Sequence, residues 1–306
     1  GKTVVEIIKE ISLGKIKGLY VQGENPAMSD PDQIHSRKAL AKLEHLVVQD
    51  IFMTETAWNA DIILPASAHA EKTGTYTNTN RQVQIGRAVV EPPKEVRQDW
   101  WIIQEIAKRM GLGWDYKSPK DIFDEMKLVM PSLDNISWER LEKDNHVTYP
   151  VKSELIPGED IIFTNGFPTS NNLAKIIPVN LINPNDELNS DFPLILSTGR
   201  LLEHWHTGTM TRRALVLNEL EPDPMIFMSQ VDSNFYNLDL NKSVIIETRR
   251  GKISIKIRHD DDLLPGMIFL PFCFKEAAAN ILTNSDLDPI GKIPELKFSA
   301  ARVYQN

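Results

Sequence analysis

At 306 residues the chain is long enough for about two domains, and with 42% hydrophobic and 25% charged residues it has the make-up of a globular protein. A formal net charge of −8 argues against a general nucleic-acid binder, which needs a basic face. No window approaches a membrane-spanning run, no secretory leader is visible, and the single cysteine, Cys273, rules out an internal disulfide and a cysteine-only cluster.

In chain order, residues 3–11 place apolar side chains at helical spacing, with Gly14 close behind as a stop. Residues 17–21 read as a strand, 33–43 as a helix, 45–48 as a strand, 54–60 as a short helix and 61–64 as a third strand. Short strands alternating with helices predict βαβ units and a parallel sheet, whose ligands bind beyond the carboxyl ends of the strands. Those ends are Gly23-Glu24-Asn25, Gln49-Asp50 and Pro65-Ala66-Ser67. Residues 71–81 are dense in hydroxyls and amides, which suits either a solvated loop or a polar binding loop. The clearest helix covers 99–110, with Asp99 as N-cap and Gly111 as C-cap, and helical fragments continue to about 141.

Residues 146–190 are rich in Pro, Asn, Asp and Ser and form the expected connection, with short strands near 161–163 and 175–178. Beyond it lies an apolar strand at 192–196, then a hairpin from 243–248 and 252–258 around Arg249-Arg250-Gly251, and strands at 266–272 and 298–303. This composition predicts a small β-barrel. The domains are accordingly an α/β domain over 1–145, a connector over 146–190 and the barrel over 191–306.

The segment TGRLLEHWHTGTMTRR, residues 198–213, follows the first barrel strand and holds the densest set of polar donors. Arginine forks, hydroxyls and glycines at one turn suit an anionic ligand rich in hydrogen-bond acceptors. His204 and His206 would point the same way on a strand, so a metal pair stands as an alternative, although no third ligand lies at tight spacing beyond Glu203. The pairs Arg212-Arg213 and Arg249-Arg250 are compatible with solvated surface charge, Cys273 with a small buried hydrophobe, and Asp260-Asp261-Asp262 with a solvated turn. There is no G-x-G-x-x-G and no G-x-x-x-x-G-K-[ST], so NAD and ATP in their usual modes have no support.

TGRLLEHWHTGTMTRR, together with GENPAMSDPD (23–32), VVQDIFMTETAWNADIILPASAHAEKTGTYTNTNRQVQ (47–84) and AAANILTNSDLDPIGKIPELKFSAARV (277–303), resembles the molybdopterin oxidoreductases. The wording is most similar to catalytic α subunits of formate dehydrogenases, and nitrate reductases of the same family share much of it. What the resemblance implies is the C-terminal half of such a subunit: a Rossmann-like three-layer α/β domain, then a six-stranded double-psi barrel. It implies bis(molybdopterin guanine dinucleotide) carrying molybdenum or tungsten, with formate oxidised to CO2 in the cytoplasm. The 4Fe–4S ligands and the metal-ligating Cys or selenocysteine would belong to the N-terminal half, so this chain alone would not turn over. Partners implied are that N-terminal half, an iron–sulfur or flavin electron-transfer subunit, and formate.

Carried onto this sequence, the family's cofactor contacts fall on Gly23, Glu24, Asn25, Gln49, Asp50, Asn78 and Arg81, then Arg200, His204, His206, Thr207, Met210, Thr211, Asn280 and Lys297. Nitrate reduction on the same scaffold is one alternative. A non-catalytic stand-alone nucleotide-binding or assembly module is the other.

Overall fold

A computed structural model describes residues 1–305. It divides into two compact units: Gly1–Ile63 together with the chain from Ile182 onward, and Leu64–Leu181.

The first unit opens with helix α1 (Val4–Ser12), whose entry is fixed by the Thr3 N–H donating to Glu6 Oε2 at 2.9 Å. Strand β1 (Gly18–Gln22) follows, then the short helix α2 (Pro26–Ser29), α3 (Gln33–Leu40) and strand β2 (His45–Asp50). β1 and β2 pair in parallel, with Gly18 opposite His45 and Gln22 opposite Gln49. β3 (Ile62–Pro65) completes a three-stranded sheet in the order β1-β2-β3. Ile8, Ile11, Ala27, Ala39 and Leu40 pack α1 against α2 and α3, while Val21, Leu46, Val48 and Ala57 form the core at the sheet. The helix expected over 54–60 is a single 3-10 turn, Ala57–Asn59, because Thr54 Oγ1 and Asn25 Oδ1 take the N–H groups of Ala57 and Thr56.

The C-terminal part of this unit is a closed barrel of six strands. They are β7 (Leu194–Gly199), β8 (Met225–Met228), β9 (Val244–Thr248), β10 (Lys252–His259), β11 (Met267–Pro271) and β12 (Ser299–Tyr304), in the order β10-β8-β11-β7-β12-β9. Two pairings are parallel, β10 with β8 and β11 with β7, and the remaining four are antiparallel. Alternation does the sorting: in β10 Ile253, Ile255 and Ile257 face inward while Lys252, Ser254 and Lys256 face out. Leu194, Leu196, Ile226, Met228, Val244, Ile246, Ile268 and Leu270 fill the centre. Helices α7 (Leu215–Leu220) and α8 (Gln230–Phe235) flank β8 in sequence. Closure removes every strand edge, so the barrel needs no guard residues.

The second unit holds β4 (Gly74–Thr77), β5 (Gln82–Gly86) and β6 (His146–Thr148) in one antiparallel sheet, with α4 (Asp99–Arg109), α5 (Pro119–Val129) and α6 (Trp138–Asp144). Val83, Phe123, Leu133, Ile136, Trp138, Leu141, Val147 and Val151 make its core. Here the sequence expectations need four corrections. Part of the polar stretch 71–81 is strand, because β4 pairs with β5 across a turn at 78–81. The N-cap of α4 is Gln98, with Asp99 already in the first turn, and its C-cap is Met110, with Gly111 beyond it at φ +86°. The strands expected at 161–163 and 175–178 do not form; Ile161 and Ile176 are exposed and pair with nothing in a ladder. No helix among the described residues is long and apolar enough to cross a membrane.

Candidate functional site

The first unit brings two groups of the predicted residues to one place. At the end of β1, Gly23 adopts φ +61° and donates its N–H to Gln49 O at 2.9 Å. A Cβ there would meet no heavy atom within 4 Å, so the space beside the backbone is open to a ligand while the left-handed φ favours glycine. Asn25 is buried and fixed: its Oδ1 accepts from Thr56 N (3.1 Å) and Thr56 Oγ1 (2.8 Å), and its Nδ2 donates to Glu55 Oε2 at 2.8 Å. Gln49 is fully buried at the end of β2, where its Oε1 accepts the Tyr20 hydroxyl. Asp50 folds its Oδ1 back onto the N–H of Ile51 (2.6 Å) and Phe52 (3.3 Å). These contacts make a rigid double loop at the strand ends, from which Glu24 projects, exposed.

The second group follows β7. Arg200 lies over the rings of Trp205 (5.6 Å) and Phe272 (5.4 Å), and His206 meets Phe272 edge-on at 5.5 Å. Burial, and next the Arg200 charge, hold the His206 imidazole below its ordinary pKa, while the carboxylate of Glu24 pulls the other way. Arg213 of the β7 loop donates to Met53 O and lies over Phe52, just past the end of β2, and Asn25 is held by Glu55, so the strand-end loops and the β7 loop meet at a common space. Beside it is a cleft of about 270 Å³ lined by Thr207, Gly208, Thr209, Arg212, Arg213, Lys275, Glu55 and Glu276. Thr207 and Thr209 share a hydroxyl contact of 3.3 Å, and Met210 is half exposed.

Other predicted residues are engaged by neighbouring protein groups. His204 is buried, with Nε2 against Glu221 O (2.8 Å) and Nδ1 against the Thr211 hydroxyl (3.3 Å). It lies outside any strand, and His206 sits at φ +51°, so the two histidines do not form the in-line pair that a strand would give. Asn280 donates from Nδ2 to Met28 O (3.1 Å) and Ser29 O (2.8 Å), and the Lys297 ammonium donates to Thr198 O. Asn78 and Arg81 belong to the second unit. Asn78 Oδ1 accepts from Gln82 N at 3.1 Å, and Arg81 donates to Tyr149 O (2.5 Å) and Asp160 O (2.7 Å).

Both arginine pairs depart from the solvated reading. Arg212 stacks on Phe274 at 4.5 Å and bridges to Glu276 (3.1 Å) and Pro222 O (3.1 Å). Arg213 lies on Phe52 at 4.8 Å and donates to Thr209 O (2.6 Å) and Met53 O (3.3 Å). Arg249 and Arg250 converge on the buried carboxylate of Asp186, whose second oxygen accepts from Ala300 N at 2.9 Å. Cys273 is buried as expected, and that burial pushes its thiol up to about 12, far from thiolate chemistry. Sequence reasoning singled out the 198–213 segment without naming Trp205 or Thr209 individually, and it missed Phe272 and Lys275, which carry no local signal.

Chemically, the site offers guanidinium on an aromatic platform, hydroxyls, and a glycine that admits close backbone approach. That set suits a flat, anionic, hydroxyl-bearing ligand such as a nucleotide. Among the described residues no cluster of three or more His, Cys, Asp or Glu is arranged to hold a metal ion.

Comparison with known proteins agrees with this chemistry. The family model for molybdopterin oxidoreductases matches residues 1–109, and that for the molydopterin dinucleotide binding domain matches residues 194–300. The chain is 44% identical to the F420-dependent formate dehydrogenase subunit alpha of Methanocaldococcus jannaschii, over 99% of this chain and 45% of that protein. It is 31% identical to formate dehydrogenase H of Escherichia coli, over 99% of this chain and 43% of that protein. Against the assimilatory nitrate reductase catalytic subunit of Bacillus subtilis it is 32% identical, over 99% and 44%. The chain thus spans less than half the length of these relatives. Acetylene hydratase from Pelobacter acetylenicus shares the fold, with a TM-score of 0.75 at 21% identity over 98% of this chain and 46% of that one.

Proposed function

Because the chain belongs to the molybdopterin oxidoreductase family, we propose that it is the C-terminal, cofactor-cradling portion of a cytoplasmic subunit that oxidises formate to CO2. Residues 1–145 would serve as a Rossmann-like guanine-dinucleotide-binding domain, 146–190 as the connector and 191–306 as a double-psi barrel over the pterins. The observation that carries the reading is the meeting of the strand-end loops with the loop after β7, where Arg213 donates to Met53 O and Glu55, bonded to Asn25, lines one cleft with Thr207, Gly208 and Thr209. Supporting it, the relative at 44% identity is named for formate oxidation.

The residues fit bis(molybdopterin guanine dinucleotide), which with molybdenum or tungsten would supply two-electron redox chemistry. The open space beside Gly23 would let a pyrophosphate approach the backbone, and Arg200 and the hydroxyls of Thr207 and Thr209 would meet its negative charge. Asp50, at the end of β2, would accept the N–H groups of a guanine edge. Asn25, Gln49, Met210, Thr211, Asn280 and Lys297 would line or brace the cradle. Asn78 and Arg81 would contribute from the third loop. The remainder of the subunit would bring the metal ligand and the 4Fe–4S centre, and an iron–sulfur or flavin subunit would take the electrons. This chain alone would be inactive.

The test uses the full-length subunit with its cofactor. Replacing Arg200 by Ala removes a charge-assisted contact, and cofactor content, read as guanine and metal per subunit, should fall about tenfold with little change in Tm. Unchanged metal and guanine content would overturn the placement. Formate-dependent dye reduction without nitrate consumption is expected from the wild type; nitrate consumption alone would move the reading to the nitrate reductase branch.

A further inference from the structure

Two left-handed backbone positions lie within three residues of each other in the loop after β7, and the one that carries a side chain is strained. His206 holds φ +51°, costly for a residue with a side chain, and Gly208 holds φ +75°. At Gly208 a Cβ would stand 2.5 Å from Cys273 O and 2.6 Å from Arg212 Cγ. Strain of this kind persists only where neighbouring contacts over-determine it. The contacts here form a closed circuit. Gly208 N–H donates to Trp205 O and Arg212 N–H to Gly208 O, both at 2.9 Å. Trp205 N–H donates to Thr211 Oγ1 at 3.0 Å, and that hydroxyl meets His204 Nδ1 at 3.3 Å.

The circuit is anchored through His204. A carbonyl oxygen can only accept, so His204 Nε2 carries the proton it donates to Glu221 O. The Glu221 carboxylate is gripped in turn by Arg258 of β10, at 2.8 and 3.0 Å, and Arg258 lies over Phe227 of β8. The imidazole face packs edge-on against the buried Phe274 at 5.6 Å. His204 is only 2% exposed, with both nitrogens engaged inside the protein, whereas Trp205 beside it is 62% exposed.

We infer that His204 is a positioning residue: held between the Glu221 carbonyl and the Thr211 hydroxyl, it fixes the Trp205–Thr211 turn that presents Trp205 and His206 to the ligand, and does not itself touch the ligand. The inference rests on the cofactor reading for what that ligand is, but the turn and its anchor stand without it.

The experiment uses the 306-residue chain and follows two independent signals. The first is the set of backbone amide NMR resonances from Trp205 to Thr211, with long-range ring-nitrogen correlations for His204. The second is affinity for guanosine diphosphate, by calorimetry. His204→Gln, which can donate and accept, should retain the amide pattern and bind within about twofold of wild type, whereas His204→Leu should displace the amides and bind about tenfold more weakly. Thr211→Val removes only the hydroxyl; it should release the Trp205 amide and weaken binding similarly, and it carries the test if His204→Leu does not fold. Amide shifts in Thr211→Val confined to the substituted residue, or a Gln variant as impaired as Leu, would overturn the positioning role. If the wild-type chain binds no guanosine diphosphate while the amides respond as expected, the cofactor reading fails and the positioning role stands.

Discussion

The barrel and the three-stranded α/β layer belong to the same unit, yet they bury their polar groups in different places. The barrel's interior is an apolar cluster running from Leu194 to Val303, closed on itself without an edge. Around α2, α3 and the ends of β1 and β2, the α/β layer buries Asn25, Asp30, Gln33, Ser36, Gln49, Thr54 and Thr56. Apolar burial supplies stability without direction, whereas buried hydrogen bonds cost desolvation and give direction in return. The barrel is a platform, and the α/β layer is where backbone is held in shapes it would not otherwise keep.

Three substitutions would break or sharpen that contrast. The largest effect is expected from Leu196→Ala in the fully buried barrel centre, a loss of about 3–4 kcal/mol in urea unfolding with guanosine diphosphate affinity unchanged while the protein stays folded. Next comes Asp30, whose buried Oδ2 has no hydrogen-bond partner. Burial, aided by the charge of Glu24, pushes its carboxyl up to about 7 from an ordinary 3.8. The folded state therefore binds this proton more tightly than the unfolded chain. The resulting stability is present below pH 4 and is lost as pH rises to 7, so Asp30→Asn should raise Tm at pH 8 and leave it nearly unchanged at pH 4. On the order of 2–4 kcal/mol is involved, and an equal change at both pH values would refute the assignment. The smallest effect is that of Gly23→Ala. The left-handed φ costs about 1 kcal/mol, and the added methyl fills the space offered to a ligand. A fall in guanosine diphosphate affinity larger than the fall in stability would separate the two consequences.

Period carried much of this architecture into view. The alternation of Lys252 to His259 made the β9–β10 hairpin legible, and the apolar spacing of 3–11 gave α1 to within a residue. Where interiors are polar or partners are distant, local pattern failed. β4 reads Gly-Thr-Tyr-Thr, with no apolar run, and becomes strand only because β5 lies beside it. Ile161, Ile176 and Ile177 read as strand and stand exposed, since no partner strand reaches them. The candidate site divided the same way. Its loops could be named from strand ends and donor density, but the roles within them depend on neighbours far along the chain. Asp186 claims Arg249 and Arg250 from more than sixty residues away, and Glu221 faces His204 across seventeen.

The clasp made by Asn280 has a consequence in time. Its carboxamide binds the carbonyls of Met28 and Ser29 across 252 and 251 residues of chain, and Asp32 N–H reaches Thr283 O at 3.1 Å. On a ribosome, residues 1–63 emerge long before residues 280–283, which supply this clasp, while Leu64–Leu181 has its own core and need not wait. The α/β layer has apolar clusters of its own, so what waits for the late segment is the clasp on Met28, Ser29 and Asp32. Because the entropy of closing so long a loop grows only with the logarithm of its length, the arrangement delays folding more than it weakens the product.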